Sequence, residues 1–555
     1  MNAKTFFDEL KRRKVYSVAI AYIVGGWAFA QGIAQVLPVF DTPIWVVRLL
    51  VVLIVLGFPV ALTLSWFFDL TRYGIVRTPD RVPQRGIDTV DSSISSEKSI
   101  AVLPFKDQSA GPDRDYLGEG IAEEIITALS KVDNLRVAAR RSSFWFKDRD
   151  AELSEVGAKL NVDHVVEGSI RRDGNRIRVT AELTECCDGF TLWSETFERE
   201  FQGIFALQDE ITCAIVDALK LKLEIAPATS HARSMDAYDL YLQGLFLSDK
   251  STETALRKSL EFFHSALDKD PRFARAWTGI AKSWLWLADA YVRPLEAYSN
   301  VREAAVNAIN IDDGEADAHV YLAETKRILD WDLRGAEAEY IRAFEMDSNS
   351  TTSNYFIAAF YAAIGEREKA LTYLSRTAKI DPASLWVSNF ACEIYRYFGL
   401  IDEAMKAGER SLQLDPTFLY SEPLLAALYR EMGRFDDAIA LYKKSQDLSG
   451  RVPFGLAITY AKMNRREEAK EILKAVCASR GGYTPGDAIA HVHVVLGEHE
   501  DAMRELQRAC EEHSSSLHFI GIAPEFEPLR SDKRFVSIVK KIGLEPQKVF
   551  AIKAT

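Results

Sequence analysis

FYAAIGEREKA at 360–370, IYRYFGLIDEA at 394–404 and LYREMGRFDDA at 428–438 are one pattern written three times, 34 residues apart. Tyr361, Tyr395 and Tyr429 form one column, Gly365, Gly399 and Gly433 a second, and Ala370, Ala404 and Ala438 a third. Each column has a physical reading. The aromatic fills the space between two helices, the glycine takes the positive φ that ends the first helix, and the alanine lets the second helix approach closely. Asp381-Pro382 and Asp415-Pro416 then stop the second helix, because proline cannot continue it.

A period of 34 with a large aromatic, a turn glycine and a small alanine resembles the tetratricopeptide (TPR) helical hairpin. One hairpin cannot bury its own apolar face, so the repeats are expected to stack into an all-α superhelical solenoid. Working outward, 236–523 reads as a TPR array of about eight hairpins. The first begins at Ala237–Leu247, Trp277, Trp284 and Ala305 carry the second, and the third has Asp330-Trp331-Asp332 where the turn glycine belongs. In the seventh, Asn464 stands in the glycine column, as a residue tolerant of the left-handed region can. The eighth has His493, Gly497 and Ala502; His491 and His493, two apart on a helix, do not face one another, so they read as packing rather than metal ligands. Residues 524–555 are expected as a capping helix, Pro524–Leu544, and a tail.

Composition excludes several classes. Of the 555 residues 48% are hydrophobic and 27% charged, ordinary for folded protein, and the net charge of -12 argues against nucleic acid as the main partner. The six cysteines show no metal-type or disulfide spacing. No GxxxxGK[ST], HExxH, GxSxG or EF-hand loop is present, so the expectation is a non-enzymatic protein with no cofactor, no metal and no catalytic residue.

Residues 1–70 read as a membrane anchor. Val15–Leu37 carries no charge and Ile44–Phe68 only Arg48, each long enough at about 1.5 Å per residue to cross a hydrocarbon core of roughly 30 Å. Lys4, Lys11, Arg12, Arg13 and Lys14 precede the first span, Arg72, Arg77, Arg81 and Arg85 follow the second, and 38–43 has no Lys or Arg. Positive-inside therefore places both termini in the cytoplasm, the protein hanging from a bacterial inner membrane by a two-helix hairpin. Residues 71–97, rich in Pro, Gly, Ser and charge, read as a linker.

Residues 98–225 follow the order β-α-β-α-β-β-β-α, a small α/β domain with helices on a mixed sheet. IAVLPF, DYLGEGIAEEI, LRVAARRSSF, VVEGSIRRDGNRIRVTAEL, LWSETFER and IFALQDEI follow one another as in the TolB-like amino-terminal domain of bacterial membrane-anchored TPR proteins, which this chain resembles over nearly all of 98–225. In such architectures the pair can follow a cyclase or a winged-helix domain; the segment before the linker is expected to be anchor instead. Gly118-x-Gly120 lacks the third glycine of a phosphate-cradling loop and stands among Glu119, Glu123 and Glu124. Arg140, Arg141, Lys147 and Arg149 form a basic cluster, read as a solvated loop in preference to a contact with anionic lipid.

What the TPR resemblance implies is an adaptor that holds a peptide or helix in a groove lined by the first helix of each hairpin. By register, that groove is expected at Tyr355, at Trp386, Asn389, Glu393 and Arg396, and at Tyr420 and Arg430, with Arg396 and Arg430 stacking as a column able to grip carboxylates. The expected function is a membrane-tethered scaffold for a protein or peptide partner in signalling, regulation or complex assembly, with self-association open. The alternative is a sensor whose α/β domain binds a small molecule and modulates the array; a cyclase-associated subunit without a catalytic domain of its own is a third reading.

Overall fold

The computed structural model describes residues 68–71, 74–77 and 98–552, with breaks at 109–114 and over most of 201–233 and gaps of one to three residues elsewhere, one of which takes in Tyr420. The expected spans 15–37 and 44–68 lie outside the described residues, but for Phe68. Among the described residues no helix is long and apolar enough to cross a membrane.

Residues 1–95 and 96–555 are two compact units. In the first, Phe68–Thr71 (β1) pairs antiparallel with Gly74–Arg77 (β2), from Phe68 opposite Arg77 to Thr71 opposite Gly74. This ribbon stands where the sequence reading placed the end of a span and the start of a linker; Leu70, Ile75 and Val76 suit a strand.

In the second unit, Lys98–Val102 (β3) is the buried strand that its apolar run predicts, and Lys106–Asp107 (β4) extends it. Asp115–Leu129 (α1), Leu135–Val137 (β5), Arg140–Phe144 (α2) and Leu153–Leu160 (α3) follow, then the meander His164–Asp173 (β6), Arg176–Glu185 (β7) and Thr191–Glu200 (β8). The sheet runs β5-β3-β6-β7-β8, with β4 also on β6. Strand β3 is parallel to β5 and β6, and the meander is antiparallel, so the sheet is mixed as expected. Ile121, Ile125 and Leu129, at helical spacing on α1, are fully buried. The expected helix 204–223 lies almost wholly outside the described residues. The two α1 glycines are packing positions: a Cβ at Gly118 would fall 2.0 Å from the Phe105 carbonyl oxygen, and one at Gly120 would strike Leu242.

The array follows as eight helical hairpins among the described residues: Met235–Ser248 (α4) with Glu253–Lys269 (α5), Ala274–Leu287 (α6) with Pro294–Ile311 (α7), Ala316–Thr325 (α8) with Leu333–Met346 (α9), Thr351–Ala363 (α10) with Arg367–Ile380 (α11), Leu385–Tyr397 (α12) with Ile401–Leu414 (α13), Ser421–Glu431 (α14) with Phe435–Ser449 (α15), Phe454–Lys462 (α16) with Arg466–Ser479 (α17), and Gly486–Val495 (α18) with His499–Glu511 (α19). Successive first helices touch and form the inner face. Gly365, Gly399, Gly433, Asn464 and Gly497 all turn at positive φ between 61° and 82°, and in the third hairpin Trp331 does so at 52° after a wide last turn, Lys326–Asp330. The alanine column is fully buried from Ala336 to Ala502. At Gly433 a Cβ would meet nothing within 4 Å. Gly433→Ala is therefore expected to lose about 1–2 kcal/mol from backbone conformation alone, read by urea denaturation, with no change in the packing around it.

The C-terminal stretch differs from the single capping helix expected. It forms two tight turns, Ser515–Phe519 and Pro524–Leu529, then Lys533–Lys541 (α20) and Pro546–Val549 (α21). Pro528 denies a continuous helix its hydrogen bond, and Asp532 caps the new start by accepting from the Arg534 N–H. The tail turns back along the array: His513 stacks on Trp331 at 4.8 Å, and Lys548 bonds Glu366 in the turn of the fourth hairpin.

Candidate functional site

The two halves of the inner face are met by different parts of the same chain. On the first half, α2 of the α/β domain sits among charges from both sides. Arg140 pairs with Glu119 (3.2 Å) and Glu123 (2.9 Å) of α1 and with Asp249 after α4, which also takes Lys282 of α6 at 2.8 Å. Lys147 bonds Glu119 at 2.8 Å, and Arg275 of α6 pairs with Glu124. Farther along, the Ser142 hydroxyl donates to Asp381 and accepts from the Ala383 N–H (2.6 Å), while the Trp145 indole N–H donates to the Leu414 carbonyl at 3.1 Å. The basic cluster read as a solvated loop is thus largely a docking surface. Arg140 and Lys147 are internal ion-pair partners, and Arg149 lies over the Trp145 ring, 3.5 Å from its centre. Burial, then Arg141 and Arg140 beside it, pulls the Lys282 ammonium down to about 7.

On the second half, Glu525 reaches the arginine column. Arg396, buried, bonds Glu525 and Glu431 (2.7 Å), and Arg430, also buried, stands 4.0 Å from Glu525 and donates to the Tyr442 hydroxyl at 2.9 Å. Burial alone would push the Glu525 carboxyl up, but Arg396, His491 and Arg430 outweigh it and hold it at about 2. Phe519 stacks on Tyr397 at 5.6 Å, and Leu517, Ile520, Ile522 and Leu529 are almost fully buried beside them. At roughly 1.5–3 kcal/mol per buried side chain, these segments belong to the core of the array.

The remaining residues expected in the groove are placed as follows. Tyr355 packs on Phe390 (4.3 Å) and Trp386 on Trp286 (4.5 Å) across the superhelix and on Phe418 (5.2 Å). Asn389 is buried between hairpins, its amide donating to the Leu385 carbonyl (2.9 Å) and the Ser411 hydroxyl (2.8 Å). Glu393 accepts from the Tyr397 hydroxyl at 2.9 Å. Tyr420 lies outside the described residues. Glu393 and Arg396 meet at a cavity of about 310 Å³ that the C-terminal turns leave unfilled, lined also by Asp487, His491, Ser516 and Phe526. Register did not point to Glu525, Asp487 or His491. A carboxylate between two aromatics, in Phe519-to-Phe526, after the last repeat was the available signal for the first.

His493, Glu498 and Asp501 come within metal-binding distance of one another, as do Glu185, Cys187 and Asp188. In the first group Glu498 is already held by Lys470 at 2.7 Å and His493 at 2.9 Å, and in the second Asp188 accepts from the Phe190 N–H at 3.0 Å.

Two stretches of the chain are similar to known families. Residues 424–450 match the tetratricopeptide repeat, which makes the C-terminal region a TPR region, and residues 96–214 match the second domain of HilA/YgeH-like transcriptional regulators. A protein of Rhizobium meliloti (strain 1021) named "Putative adenylate cyclase 3" is 36% identical over 256 residues, 44% of this chain and 43% of that protein, so the chain spans under half of this relative's length. Among solved structures, a monomeric mutant of IFIT1 with Gppp-AAAA is 15% identical, covering 63% of this chain and 80% of that one at a TM-score of 0.40. PilW, a type IV pilus biogenesis factor, is 14% identical, covering 37% of this chain and 92% of that one at 0.29.

Proposed function

We propose that the protein is a non-enzymatic TPR scaffold, tethered to a bacterial inner membrane by residues 15–37 and 44–68 with both termini in the cytoplasm, whose α/β domain is of the TolB-like kind. The observation that supports it most is that the array already receives a stretch of its own chain: Arg140 to Trp145 is held by Asp249, just past α4, at one end and by Asp381, Ala383 and Leu414 at the other, while α1 packs on α4. Such an array is a receptor for chain segments, and the α/β domain and the C-terminal turns both pack on it. A protein or peptide partner then reaches the part still open, at the cavity of the fifth to eighth hairpins. The adenylate cyclase name of the relative is compatible with a regulatory setting for this architecture and assigns no catalytic residue here.

The test is photo-crosslinking from membranes. A photoreactive residue at Ala488, in the cavity wall, is expected to capture one protein that the same residue at Lys474, exposed on α17, does not. Equal capture at both positions, or none at Ala488, contradicts a partner at the inner face.

A further inference from the structure

The cavity between α12, α18 and the C-terminal turns has an unbalanced wall. Three carboxylates line it, Glu393, Asp487 and Glu525, against one guanidinium, Arg396. That guanidinium bonds Glu431 and Glu525 through one terminal nitrogen, and its Nε is enclosed without a partner. Asp487 has hydroxyl partners, Ser514 (2.7 Å) and Ser516 (2.6 Å), and Glu393 has the Tyr397 hydroxyl; among the described residues neither makes an ion pair. His491 adds no positive charge, since burial, with Arg430, Arg396 and Lys462 near it, brings its imidazole down to about 3 against the pull of Glu525.

Within this wall one atom asks for a donor. Glu525 Oε2 is enclosed and has no hydrogen-bond partner, and the Glu525 side chain is only 6% exposed. An ionised oxygen so placed is costly to leave without a donor, a cost that a donor entering the cavity removes. His491 Nε2, also enclosed and unpartnered, offers the same newcomer an acceptor. Phe454, Phe519 and Phe526 line the cavity beside these groups and suit a methylene stem. A volume of about 310 Å³ is at the small end of ligand sites, enough for a short chain with one charged head.

We infer that this cavity is a binding site for an alkylammonium group, its head on Glu393, Asp487 and Glu525 and its stem against the phenylalanines. The inference rests on the scaffold reading for one of its two sources, a lysine side chain of the partner; the other source is a free small amine.

The test is calorimetric titration of the purified full-length protein with putrescine and with N-acetyl-lysine amide, using n-butanol and glutarate as controls. Both amines, or one of them, are expected to bind one per chain, with affinity falling as salt rises. Glu393→Gln and Asp487→Asn are each expected to weaken binding about tenfold, with circular dichroism and melting temperature close to wild type. Putrescine binding far above the lysine amide assigns the site to a free amine. Comparable binding, with the lysine amide suppressing the Ala488 crosslink, assigns it to a partner lysine. Amine binding without any Ala488 crosslink keeps the site and removes the partner. Glutarate or butanol binding as well as the amines, or no amine binding at millimolar concentration, overturns the inference.

Discussion

Arg396→Ala is expected to destabilise the second unit by about 3–5 kcal/mol, measured by urea denaturation of the full-length protein. The reason is what the substitution leaves behind. Glu525 would keep its charge in an enclosed site with only Arg430, 4.0 Å away, as counter-charge. Removing both partners is expected to cost far less, so Arg396→Met combined with Glu525→Met should recover most of the loss. The same pair sets an acid limit. Glu525 ordinarily titrates near 4.5 and is held at about 2 in the fold, so its contribution is complete above pH 4.5 and is lost as pH falls from there towards 2. In Arg396→Ala that acid-dependent loss is expected to shrink, because the folded and unfolded carboxyl groups become more alike. A variant as stable as wild type would mean that the arginine column is solvated and free for partners.

Arg140→Glu is expected to have an effect of similar size, localised at the other end of the inner face. It would set a fourth carboxylate among Glu119, Glu123 and Asp249, all of which Arg140 now joins. Repulsion added to a broken, partly buried network costs about 3–5 kcal/mol and should release the α/β domain while the array keeps its helices. Limited proteolysis followed by mass spectrometry separates the outcomes. Cleavage within 140–149 with an intact 235–552 fragment is the expected result; unchanged resistance would show that the seam is held by its apolar contacts and by Ser142 and Trp145.

The array was legible because its determinants are local. Tyr361, Gly365 and Ala370 recur within single hairpins, and the chemistry of each dictates its place: the glycines do adopt the left-handed turn, and the alanines are the fully buried close contacts. Asn464 in the glycine column turns at φ 61°, as its short polar side chain permits. The α/β sheet was legible for the same reason, from alternation in His164–Asp173 and Arg176–Glu185 and the tight turns between strands. What filled the inner face was not. Arg396 and Glu525 are 129 residues apart, and Ser142 and Asp381 are 239 apart. No periodicity links them; the α/β domain and the C-terminal turns reach the array only in the folded chain. Register puts Arg396 and Arg430 in one column, but it has no means of locating Glu525, the carboxylate of the same chain that stands beside both. The C-terminal stretch departs from a single helix because Pro528 interrupts the hydrogen-bond ladder, so that the turn Pro524–Leu529 and the helix Lys533–Lys541 form separately.

The inner face of the array is met from within, by Arg140 to Trp145 on one half and by Ser515–Leu529 on the other. Hydrogen exchange of the full-length protein, read over peptides covering 139–147 and 515–530, tests it directly. Protection of both for hours, equal to that of α12 and α14, is the predicted result; exchange of either within seconds, while those helices stay protected, would contradict it.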